Sequence, residues 1–142
     1  MTRVTADAIE AMQAYLKGDA DGYSRMVDRL DPAAKKAHGQ LIGASFYIAA
    51  NRRFAANRSN AEVIEFVGNL RARSDRLAED IDPRQAERLV RASTFTDENV
   101  DDIDNGLYSL LLAGLIADEQ LTDSDLDAFL EEARKLADDW LA

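Results

Sequence analysis

His38 is the only histidine in the chain, and most enzymes that use a general base use histidine. The nearest hydroxyl on the same predicted helical face is Ser45, about 10 Å farther along the axis, which is too far for a hydrogen bond. Lys35 stands three residues earlier, where di-iron bundles carry glutamate. We therefore predict that His38 makes a local hydrogen bond near a helix start, with a ligand contact as the alternative.

Three acidic residues have the spacing of the first three ligands of an EF-hand calcium loop: Asp123, Asp125 and Asp127. The turn glycine of such a loop is replaced by Ala128, and the bidentate glutamate by Arg134. We therefore predict a helix start capped by Thr122. The acidic patch at 101–104 suits the first turn of a helix, with weak divalent-cation binding as the alternative. The sequence predicts no catalytic residue, metal or cofactor.

Three arginines form a stripe at i, i+4, i+7 of a predicted helix: Arg84, Arg88 and Arg91. Guanidinium groups suit carboxylate and phosphate recognition. Two structural readings compete with that function, namely pairing with Glu87 inside the helix or neutralisation by the acidic C-terminal third. The functional alternatives are an acidic protein partner, a nucleic acid or a phosphorylated ligand.

The formal net charge is −10, and residues 97–142 hold 14 acidic against 2 basic side chains. Such a field opposes unassisted docking on nucleic acid and attracts basic partners. We predict that the partner is another protein with a basic surface, or a second copy of the chain. The candidate docking face comprises Asp101, Asp118, Glu119, Asp123, Glu131, Glu132, Asp138 and Asp139.

At 142 residues the chain has the usual size of one domain, and we predict a single helical domain over 1–142. The absence of cysteine excludes disulfides and thiolate chemistry. Residues 1–7 do not resemble a signal peptide, and the longest apolar run is too short for a membrane span. A cytoplasmic location with no membrane contact is therefore expected.

Helix signals dominate the chain and predict an all-α bundle of about seven helices. Asp31-Pro32 and Asp82-Pro83 suit an N-cap followed by the first helical residue. The predicted helices span 5–17, 20–30, 32–56, 60–79, 83–93, 97–118 and 122–141. The third and sixth are apolar on nearly all sides, so we predict that they pack together centrally. Small residues predict that they cross near Gly43 and Gly114.

These patterns favour a non-catalytic protein–protein interaction domain, either inhibitor- or antitoxin-like or a regulatory adaptor. The alternative is a helical small-molecule sensor or enzyme with an interior pocket. Such a pocket would be lined by Phe46, Tyr47, Tyr108 and Leu112. Self-association through the C-terminal helix, which ends in Trp140-Leu141, is a third possibility.

Overall fold

A computed structural model describes residues 3–96 and 98–142 of the chain. These residues form eight α-helices and no strand, which confirms the all-α prediction. None of the helices they form is both long enough and apolar enough to cross a bilayer. The helices are α1 (Ala6–Leu16), α2 (Ala20–Asp28), α3 (Pro32–Phe54), α4 (Asn60–Arg71), α5 (Asp75–Asp80), α6 (Pro83–Thr94), α7 (Asn105–Glu119) and α8 (Asp123–Leu141).

Short polar side chains begin most of these helices. Asp31 and Asp82 each accept a backbone N–H of the following turn, and a proline follows each of them, as predicted. Thr122 caps α8 by accepting the N–H of Asp125. In the part of the chain that the structure describes, only α7 begins without a side-chain cap bond, at Asp104.

Helix α3 is the hub of the bundle, and both α7 and α8 pack along it. Asn105 lies beside Gly39, and Glu119 pairs with Arg52, so α7 runs parallel to α3. Phe129 lies under Arg52, whereas Trp140 lies over Gly43, so α8 runs antiparallel to α3. The predicted packing of the two apolar helices is confirmed.

The glycines do not serve as the predicted crossing point of α3 and α7. A Cβ built on Gly43 would lie 3.7 Å from Trp140 of α8. A Cβ on Gly114 would lie 2.8 Å from a terminal carbon of Leu70 in α4. That prediction was wrong, because each glycine gives room to a large side chain of another helix.

Two predicted helices have different bounds in the structure. The segment 60–79 divides into α4 and α5, because Ser74 caps a new helix by accepting the N–H of Leu77. The segment 97–118 becomes helical only at Asn105. Asp97, at its predicted start, lies outside the described residues, and residues 98–104 are not helical, with a turn at 101–102 and a bend at 103.

Candidate functional site

His38 makes a tertiary hydrogen bond rather than the local one that we predicted. Its side chain is buried, and its Nε2 lies 2.9 Å from the hydroxyl of Tyr23 in α2. The Tyr23 ring in turn lies 4.8 Å from the ring of Tyr15 in α1. The Nδ1 of His38 has no partner among the described residues. This cluster joins three helices, and burial lowers the pKa of His38 below its usual 6.5.

The buried imidazole predicts a loss of stability in mild acid. Because the unfolded chain binds the proton more tightly, the stabilisation is present above pH 6.5 and is lost as the pH falls toward the lower folded-state pKa. For one proton, the free energy of unfolding then falls by up to about 1.4 kcal/mol per pH unit. Urea denaturation between pH 7.5 and 5.5 measures the slope.

The matched control for this titration is His38→Gln, which keeps a polar side chain without an ionisable ring. Because the chain has no other histidine, the difference between the two pH profiles belongs to His38 alone. We expect the variant to be flatter over this range. Parallel profiles would show that His38 does not contribute.

The arginine stripe is used inside the fold. Arg88 binds Asp102 through two nitrogen–oxygen contacts of 2.7 and 3.1 Å, and it also donates to the backbone carbonyl of Asn99. Arg91 contacts Glu98 at 3.1 Å. These bonds lower the pKa of both acids. The acidic C-terminal third thus neutralises most of the stripe, which is one of the two structural readings of the sequence.

Glu87 forms no ion pair within the described chain, although its charge is one of the causes that raise the pKa of Arg91. Arg84 is exposed, and its guanidinium has no partner there either. The segment 98–104 is therefore held against α6 by Arg88 and Arg91. The same bonds explain why Glu98 and Asp102 lie before α7 rather than in its first turn.

Five of the eight predicted docking acids are paired with cations. The pairs are Asp118 with Arg73, Glu119 with Arg52, Asp123 with Lys17, and both Glu131 and Asp138 with Arg134. Asp101, Glu132 and Asp139 have no ion pair among the described residues. Asp101 precedes α7 while Asp118 lies near its far end, so the eight acids do not form one patch.

A narrower acidic surface lies on α8. Asp125, Glu132 and Asp139 are exposed and follow one another at intervals of seven residues, so they line one side of the helix about 10.5 Å apart. We call these three residues the α8 acidic stripe. None of them forms an ion pair with the described part of the chain. The paired acids Asp123, Glu131 and Asp138 lie on the opposite edge of α8.

An exposed aromatic pair lies near the C-terminal end of the α8 acidic stripe. Tyr47 is 45% exposed and Trp140 is 46% exposed, and their rings meet edge to face at 6.1 Å. Trp140 is adjacent to Asp139 in sequence and lies over Gly43. The sequence pattern did not show that Tyr47 and Trp140 form one exposed pair.

Of the four residues predicted to line an interior pocket, Phe46 and Leu112 are completely buried. Phe46 packs edge to face against Tyr108 at 5.5 Å, whereas Tyr47 faces outward. The four side chains therefore do not share one cavity wall. An interior pocket elsewhere stays a prediction.

A surface cleft of about 540 Å³ opens where α5, α6 and the start of α7 meet. Its apolar part consists of Ile103, Leu107 and Leu110. Its acidic part consists of Asp80, Asp82, Asp102 and Asp104, beside Gln85 and Gly106. Sequence reasoning missed this cleft because its acids come from two segments about 20 residues apart in the sequence, 80–82 and 102–104.

Comparison of the chain with protein-family models, with curated proteins and with solved structures found no match.

Proposed function

We propose that residues 1–142 form one cytoplasmic helical domain, and that this domain works without catalysis by binding a protein with a basic surface. The proposed docking surface is the α8 acidic stripe together with the exposed pair Tyr47 and Trp140. The observation that carries the proposal is the lack of any ion pair on this stripe within the described chain. Helix α8 as a whole has seven acidic and two basic side chains, which gives it a formal charge of −5.

The two edges of α8 differ in what they offer a partner. Acids on the edge near α1 are already engaged, as Asp138 shows by accepting the N–H of Val4 and pairing with Arg134. The unpaired stripe keeps its full field, which accelerates the approach of a basic partner.

The exposed pair Tyr47 and Trp140 supplies apolar contact surface, which the α8 acidic stripe lacks. Charge alone gives rapid association but little lasting affinity, whereas exposed aromatic side chains are frequent anchors of protein interfaces. A lysine or arginine of the partner can lie over the Trp140 ring while pairing with Asp139. We therefore expect a complex that forms rapidly, weakens with salt and depends on Trp140.

The test compares two triple variants that remove the same charge. Asp125→Asn, Glu132→Gln and Asp139→Asn together neutralise the stripe. Asp21→Asn, Asp28→Asn and Glu65→Gln together neutralise exposed acids on α2 and α4. Each tagged protein is used to capture partners from an extract of the source cells at 50 mM and 500 mM NaCl.

We expect the wild type and the control to retain basic proteins at low salt, with a loss of about tenfold or more at high salt. The stripe variant should lose this retention already at low salt. Equal retention by the two triple variants, or retention indifferent to salt, contradicts the proposal. A Trp140→Ala variant separates the aromatic contribution, because it weakens capture without changing charge.

A further inference from the structure

The cleft between α5, α6 and α7 combines an apolar floor with an acidic rim. Ile103, Leu107 and Leu110 are only partly buried against the core, so each of them presents apolar surface to the cleft. The volume of about 540 Å³ lies within the usual range of small-molecule sites. The cleft is separate from the α8 acidic stripe, because no residue of α8 lines it.

The four rim carboxylates are not equally available. Asp102 is bound by Arg88 at 2.7 Å, and Asp80 lies 3.5 Å from Arg76. Asp82 and Asp104 have no basic partner in the part of the chain that the structure describes. The Oδ1 of Asp82 accepts two backbone N–H groups of α6, which leaves its Oδ2 uncommitted. Asp104 precedes α7 without making a side-chain cap bond.

The charge balance favours a monovalent cation. Asp82 and Asp104 have no basic partner among the described residues, and they lie at the N-termini of α6 and α7. Each helix N-terminus has a partial positive charge of about half an elementary unit. The sum over the two carboxylates and the two helix N-termini is therefore a charge of about −1. Among the described residues, no three acidic or histidine side chains are gathered closely enough to hold a metal ion. A hydrated metal ion would also leave the apolar floor uncovered.

We propose that this cleft binds a small primary amine with an aliphatic tail. The ammonium group lies between Asp82 and Asp104, where it donates hydrogen bonds to their free oxygens. The tail covers Leu107, Leu110 and Ile103 and removes apolar surface from water. Both parts of the ligand are needed. The ammonium group neutralises the negative charge of the cleft, and the aliphatic tail covers its apolar side chains.

The ligand test uses n-octylamine, titrated into the full chain and followed by calorimetry and by backbone amide NMR shifts. Three related probes dissect its chemistry: n-octanol removes the charge, n-butylamine shortens the tail, and octanoate reverses the charge. We expect n-octylamine to bind at least tenfold more tightly than any of the three. Its shifts should map to residues 82–85 and 103–110.

The site test uses Asp82→Asn with Asp104→Asn. Asparagine is also a good N-cap, so the starts of α6 and α7 are kept while two charges are removed. Asp28→Asn with Glu65→Gln removes two charges elsewhere and serves as the control. Binding of n-octylamine should fall at least tenfold in the cleft variant and stay within twofold in the control.

Three results would overturn this assignment. Equal weakening in the two double variants would show a general counterion effect. Equal affinity for n-octanol would show that the carboxylates take no part, and an absence of shifts at the cleft would show that the amine binds elsewhere. The cleft test does not involve α8, so a failure of amine binding does not contradict the proposed protein interaction. A failure of the protein interaction likewise does not contradict amine binding in the cleft.

Discussion

Replacing Phe46 with alanine is expected to lower the free energy of unfolding by about 3–5 kcal/mol. The ring is 1% exposed and packs edge to face on Tyr108, so its removal leaves a cavity between α3 and α7. For a chain of this size, that loss corresponds to a fall in melting temperature of roughly 10–20 °C. Urea denaturation followed by circular dichroism measures it.

The matched control for this substitution is the next residue, Tyr47→Ala. Its ring is 45% exposed and contacts Trp140 at the surface, so truncation should cost about 1 kcal/mol or less. If the two variants lost equal stability, Phe46 would not occupy a buried contact between α3 and α7.

A substitution at Gly114 is expected to destabilise the protein although alanine is a better helix former than glycine. The new Cβ would lie 2.8 Å from a Leu70 carbon, and Leu70 is itself only 2% exposed, so that side chain cannot move into solvent. We expect a cost of about 1–2 kcal/mol for Gly114→Ala and about 3 kcal/mol for Gly114→Leu. Chemical denaturation of both variants gives the values.

Two further variants isolate this crowding. Gly68 lies in α4 with nothing within 4 Å of a built Cβ, so Gly68→Ala should stabilise the protein by about 0.5–1 kcal/mol. Combining Gly114→Ala with Leu70→Ala should lower the free energy of unfolding by less than the sum of the single changes. The smaller side chain at position 70 makes room for the new Cβ at position 114, which in turn fills part of the space left by Leu70. Additive costs would show that Gly114 and Leu70 are not in contact.

The sequence predicted the fold well where local signals and burial agree. Asp31-Pro32 begins α3 and Thr122 begins α8, as their capping chemistry indicates. The apolar runs of α3 and α7 correctly indicated that the two helices are central. The start of α7 was misjudged, because acids near Asp102 suit either a first helical turn or a loop that binds Arg88.

The candidate surfaces were predictable only in part. The sequence shows that acids are concentrated in the last third, and the spacing of Asp125, Glu132 and Asp139 is visible there. Which acids are paired depends on contacts between distant segments, such as Arg52 with Glu119. The cleft has no local signature either, since Asp82 and Asp104 line it from segments that are 22 residues apart in the sequence.

The central claim is that α3 and α7 pack against each other in the buried interior of the bundle. This packing positions the surfaces described above. Native-state amide hydrogen exchange tests it most directly. The account predicts that the slowest amides lie in residues 41–50 and 111–116, and that they exchange only through global unfolding. Exchange in 111–116 as rapid as in the largely exposed helix α2 would contradict it.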